Sequence, residues 1–177
     1  LFGKNASAGA VNIVTRQPTA DFHAFAEASY FSGNEYRLTG GATGTLVPSK
    51  LVANASFLVG GFDGNVKNLA NSTTVNGYEH RGARSKFLWT PDEETQVTFG
   101  LDYMYQNDLV PTGVYTSTNQ VAYPTGAVKT NPALASALVG EGVTPSKNNT
   151  SVSNNTQSRS VDHTGGFSAT VDRELGR

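Results

Sequence analysis

Strict two-residue alternation, sustained in segment after segment from Phe22 onward, is the feature that most constrains how this chain folds. Phe22, Ala24, Ala26, Ala28 and Tyr30 share one face of an extended segment, and His23, Phe25, Glu27, Ser29 and Phe31 share the other. In a second segment Tyr36, Leu38, Gly40, Ala42, Gly44 and Leu46 oppose Arg37, Thr39, Gly41, Thr43 and Thr45. A third sets Leu51, Ala53, Ala55, Phe57 and Val59 against Asn54, Ser56 and Gly60. The fourth, Tyr78 to Thr90, has Ala83, Ser85, Phe87 and Trp89 on one side and Arg84, Lys86 and Leu88 on the other. The fifth is the cleanest, with Val97, Phe99, Leu101, Tyr103 and Tyr105 opposite Gln96, Thr98, Gly100, Asp102 and Gln106. In the sixth, Phe167, Ala169 and Val171 oppose Ser168, Thr170 and Asp172. A period of two belongs to strands, whereas a helix repeats its apolar positions at three and four. The chain is therefore expected to be all-β.

The connections differ in length. Ser32 to Asn34, Val47 to Lys50 and Pro91 to Glu94 are tight turns rich in Gly, Pro, Ser and Asp. Phe62 to Gly77 and Asp108 to about Ser160 are long. In an up-and-down sheet successive connections alternate sides. The turns at 47–50 and 91–94 then share one side, and both long loops share the other. Transmembrane β-barrels have this asymmetry, with short periplasmic turns and longer outer loops. Their strands need about 9–11 residues, close to the segment lengths here. Tyr30, Tyr36, Tyr78, Tyr103 and Tyr105 fall near the outer ends and Phe22 and Trp89 near the inner ends, as the aromatic girdles of a barrel do.

Composition points the same way. Charged residues make up 15% of the 177, against about 25% in ordinary soluble domains. The net charge of -1 gives no field for nucleic acid. Cysteine is absent, which removes thiolate chemistry and disulfides. No apolar run approaches the roughly 18 residues of a membrane helix, so any membrane is crossed by strands. Inside the long excursion, Pro132 to Val139 suits a short helix, and Lys147 to Ser160, rich in Asn, Ser and Thr, is expected to be mobile.

The opening stretch differs from all this. Gly3, Ala6, Ala8, Gly9 and Ala10 make a turn of small residues, Val11 to Val14 form a short strand, and Pro18 ends it. Leu1-Phe2-Gly3-Lys4-Asn5-Ala6, then Ala8-Gly9-Ala10-Val11-Asn12-Ile13-Val14-Thr15-Arg16 and Pro18, closely resembles the end of the plug domain of TonB-dependent outer-membrane receptors. The resemblance implies an antiparallel transmembrane β-barrel of about 22 strands with a plugged lumen. Residues 1–21 correspond to the plug's C-terminal end and the linker, and 22–177 to the first six or so barrel strands. With no initiator Met and a new turn starting at Leu175, the chain reads as a piece of something longer. The resemblance further implies no enzymatic activity, but active import across the outer membrane of a Gram-negative bacterium. The cargo is most often a ferric siderophore, with iron present only within the chelate and no resident cofactor. The implied partners are outer-membrane lipid, the ligand, and TonB, reached through a segment upstream of Leu1.

On that reading Arg37, Arg84, Lys86 and Asp102 face the lumen, near His23 and Glu27. The bases either line a path for an anionic chelate or pair with plug carboxylates and water. Tyr115 and Tyr123, in the longest loop, either capture ligand or belong to a lid. His23, His80 and His163 lack metal-ligand spacing, Gly3-Lys4-Asn5 is not a phosphate loop, and no nucleophile elbow occurs. Two other readings compete. A passive porin-like or structural barrel explains all but the opening stretch, and a soluble β-sandwich explains the alternation but not the aromatic placement or the low charge.

Overall fold

The computed structural model describes residues 15–122, 124–156 and 158–174. In chain order the elements are β1 His23–Phe31, β2 Glu35–Val47, β3 Leu51–Phe62, β4 Val66–Asn68, β5 Thr73–Val75, β6 Tyr78–Trp89, β7 Thr95–Leu109, β8 Asn119–Ala122, β9 Ala127–Thr130, α1 Pro132–Gly140, β10 Ser151–Val152 and β11 Arg159–Arg173. The expected strand Val11 to Val14 and the turn at Leu175 lie outside the described residues. Six strands form one antiparallel sheet in the order β1-β2-β3-β6-β7-β11. The sheet is open, with β1 and β11 at its edges among the described residues.

The register carries the alternation across every strand. Ala24, Ala42, Ala55, Ser85, Leu101 and Phe167 are paired in one row, and Ala26, Gly40, Phe57, Ala83, Tyr103 and Gly165 in the next but one. Paired residues share a face, so the apolar sets of all six strands merge into one surface. The ionisable residues on that surface lie toward its ends. Arg81 is paired with Glu79 and His163 with Tyr103 at one end, and Arg173 reaches Glu94 at the other. The opposite face carries His23, Glu27, Arg37, Arg84, Lys86 and Asp102.

Among the described residues no second sheet or helix packs over either face. Of the buried apolar residues Val66, Val75, Val97, Leu138, Val143 and Val152, only Val97 belongs to this sheet. Phe167 is 68% exposed and Tyr30 71%. The accessible surface is 12881 Å², whereas a compact monomer of this length exposes about 8,300 Å². Within the sheet, aromatic rings lie over glycines of neighbouring strands. A Cβ on Gly41 would meet the Phe25 ring at 2.9 Å and the Ala55 carbonyl oxygen at 2.8 Å. Only glycine leaves room there for both the ring and the carbonyl.

The ends of the sheet differ as expected. Thr90 donates its N–H to the Lys50 carbonyl at 2.8 Å, and Glu174 donates to that of Glu94 at 2.9 Å, so both short turns and the end of β11 share one edge. At the other edge the Asn34 amide donates to Asp63 at 2.7 Å, bringing the 32–34 turn beside the long loops.

Several expectations need correction. β7 and β11 run for 15 residues each, longer than the anticipated 9–11, because Gln106 to Leu109 continue to pair with Arg159 to Asp162. The 62–77 connection is not plain loop but holds the β4–β5 hairpin. Lys147 to Ser160 is not a free tract, since β10 pairs in parallel with β4. Val66, Val75 and Val152 make a small core there, flanked by Val114. Asn68, fully buried, donates to the Asn154 carbonyl and accepts from the N–H groups of Asn154 and Ala70. Asn76 exchanges two hydrogen bonds with the Thr112 backbone. The two long loops are thus one packed body. The short helix occurs as anticipated, with Asn131 as its N-cap accepting from Leu134 N–H at 3.1 Å.

Candidate functional site

The polar face of the sheet is crossed by the chain's own segment 15–21. Lys86 Nζ on β6 donates to the Thr15 carbonyl at 3.2 Å, and Asn54 Nδ2 on β3 donates to that of Arg16 at 3.3 Å. On β2, Thr43 Oγ1 accepts the Thr19 N–H at 3.0 Å and Thr45 Oγ1 donates to the Ala20 carbonyl at 2.9 Å. Pro18 is buried against the same face. Followed backward from β1, the segment therefore passes over β2 and β3 and reaches β6. It is a strap laid across the face, held by side chains that recognise its backbone.

Beneath the strap lies a hollow of about 520 Å³. Arg16, His23, Arg84 and Lys86 border it with Asn54 and Thr43, and no carboxylate does so among the described residues. Arg84 is directly opposite Asp102 across the β6–β7 ladder. Even so, neither forms an ion pair among the described residues. Both border a second hollow with Phe25, Ser56 and Tyr103.

No family model matches this chain, and no solved structure matches it significantly.

The expected site residues separate into three groups. Arg84, Lys86 and Asp102 come together on neighbouring strands. Arg37 shares their face but stands apart. It is opposite Gly60 while Arg84 is opposite Ser56, four residues or about 14 Å along the strand. Arg37 belongs instead with a cluster at the long-loop end of the sheet, where Tyr78 donates to Glu35 at 2.8 Å and stacks on His80 at 4.6 Å. His80 in turn meets Asp108 at 2.7 Å. Tyr115 is exposed and borders neither hollow; its carbonyl accepts from Asn149 at 3.0 Å. Tyr123 lies outside the described residues.

Asn54, Thr43 and Thr45, which hold the strap, were not singled out by sequence reasoning. They bind backbone carbonyl and N–H groups, so no complementary side-chain pattern marks their partners. No group of three or more His, Asp or Glu among the described residues is placed to hold a metal ion.

Proposed function

We propose that this chain is the first part of an outer-membrane β-barrel of the TonB-dependent receptor kind, serving active import of a scarce nutrient, most simply a ferric siderophore. One observation carries the reading: a single-layer sheet with a charge-free apolar band on one face and, on the other, a polar surface strapped by the segment that precedes β1. A barrel wall in lipid has an apolar exterior and a polar lumen. A plug inside that lumen has to be joined to the first strand by a segment lying on the polar side, and the strap runs there. The long loops gathered at one end and the short turns at the other fit outer and periplasmic sides. The resemblance of Leu1 to Pro18 to a plug terminus supplies the family and, with it, TonB as energy-coupling partner.

The test is uptake by whole cells of hydroxamate and catecholate siderophores loaded with radioactive iron. Uptake is expected to depend on this protein and to vanish when TonB is disrupted. The double variant Arg84→Glu, Lys86→Glu should still insert into the outer membrane and import less. Uptake that persists without TonB would favour a passive barrel, and a protein soluble without detergent would end the membrane reading altogether.

A further inference from the structure

The hollow under the strap is bordered by three permanent cations and a histidine, and its volume of about 520 Å³ falls within the roughly 300–1,000 Å³ of small-molecule sites. The Arg84 side chain has no hydrogen bond or ion pair among the described residues, although Asp102 is its cross-strand neighbour. Its charge is therefore available to a solute. Lys86 is engaged differently, since its ammonium is spent on a neutral partner, the Thr15 carbonyl. An anionic oxygen adds to that bond a Coulombic attraction between full charges that a neutral carbonyl does not offer.

From this arrangement we infer that the hollow is a site for a small multivalent oxyanion, a carboxylate or phosphate, whose arrival takes Lys86 from Thr15 and loosens the strap. The inference rests on the import reading only in taking the polar face as the side that meets solute. Arg84, fixed on β6, holds the anion in place, and Lys86 is the exchangeable contact. Losing Lys86 frees the far end of the strap, leaving Asn54 as its next anchor and Thr43 and Thr45 nearest β1. An anion on this face is thereby coupled to the freedom of the segment entering the sheet. The coupling is reciprocal, so a looser strap binds the anion more tightly.

The experiment uses the full-length protein in detergent, with inorganic pyrophosphate and tricarballylate as the oxyanion probes and glucose as a neutral control. Binding is read by calorimetry and the strap by amide hydrogen exchange across residues 15–21. Saturating pyrophosphate should speed exchange at the Arg16 amide, whose peptide group carries the released Thr15 carbonyl, about tenfold, roughly one hydrogen bond's worth of protection, while Thr19, still bonded to Thr43, stays protected; glucose should do nothing. Arg84→Gln should weaken pyrophosphate binding at least tenfold yet leave the strap protected without anion. Asn54→Ala should loosen the strap and tighten binding. Pyrophosphate that fails to bind, that binds equally to Arg84→Gln, or that leaves exchange unchanged would overturn the inference. None of these results depends on TonB, whereas TonB-independent uptake in cells would sink the import reading and leave these measurements standing.

Discussion

Replacing Phe99 with Arg, beside a matched replacement of Thr98, tests which face of the sheet meets lipid. On β7 the charge-free band lies between the row of Thr95, opposite Arg173, and the row of Tyr105, opposite Arg81 and His163. Ten residues at about 3.4 Å make about 34 Å along the strand, or about 26 Å of height at a tilt near 40°. That matches the apolar band of roughly 25 Å in outer-membrane barrels. Phe99 then sits about 10 Å above the inner edge and 16 Å below the outer one, close to the middle. It is paired with Phe87 and Ala169 and has no polar group in its row to receive a guanidinium. Phe99→Arg should cost about 2–4 kcal/mol, lowering the folding equilibrium constant about 30- to 900-fold. Thr98, opposite Leu88 and Thr170 on the polar face, should accept Arg within about 0.5 kcal/mol. Reversible urea unfolding of the full-length protein in lipid vesicles, followed by tryptophan fluorescence, gives both values. If Thr98→Arg proves the costlier, the faces are assigned backwards and the barrel reading falls.

Two further outcomes follow from particular contacts. Asn68→Asp keeps the shape of the buried amide but removes its donor to the Asn154 carbonyl, at a cost of about 1–3 kcal/mol; amide exchange should rise in 66–75 and 149–154 while the six-stranded sheet stays protected. The Thr95 hydroxyl, and then the N–H groups of Glu94 and Thr95, hold the exposed Asp92 carboxyl below its ordinary 3.8. The folded pKa being the lower one, this contribution to stability is present above pH 3.8 and is lost as pH falls through the folded value. An acid titration of turn stability should show that dependence, and Asp92→Asn should remove it.

The faces were legible in the sequence because parity is local: once a strand is recognised, each residue's side follows from its number. Strand ends were not, because Gln106, Asn107 and Asp108 are polar and would suit a loop. They continue β7 only because 159–162 extends alongside them. The packing of the two long loops was hidden for a similar reason. Val152 joins Val66 and Val75 from far along the chain, and its two-residue strand has no pattern of its own. Arg84, Lys86 and Asp102 were found from their side of the strand alone. Their separation from Arg37 needed the register, which a sequence does not state.

The excess of exposed surface is itself an argument about surroundings. Its two faces differ in kind, one apolar over most of its height and one lined with polar and charged side chains, on either side of a single strand layer. Across β1 to β3 the apolar face mixes small Ala24, Ala26, Ala42, Ala55, Gly40 and Gly44 with projecting Tyr30, Leu38 and Phe57, an uneven relief for which a second protein sheet would need matching side chains. Acyl chains conform to such a surface without needing matched knobs and holes. At the long-loop end of the same face Tyr103 donates to or accepts from His163 at 2.8 Å, and Arg81 closes on Glu79. Rings with wet tips and paired charges belong where hydrocarbon gives way to water. The polar side needs the opposite, and part of what it needs comes from the strap's own carbonyl groups, which take up Lys86 and Asn54. On the proposed barrel reading, lipid outside and the chain's own backbone inside would satisfy both faces at once.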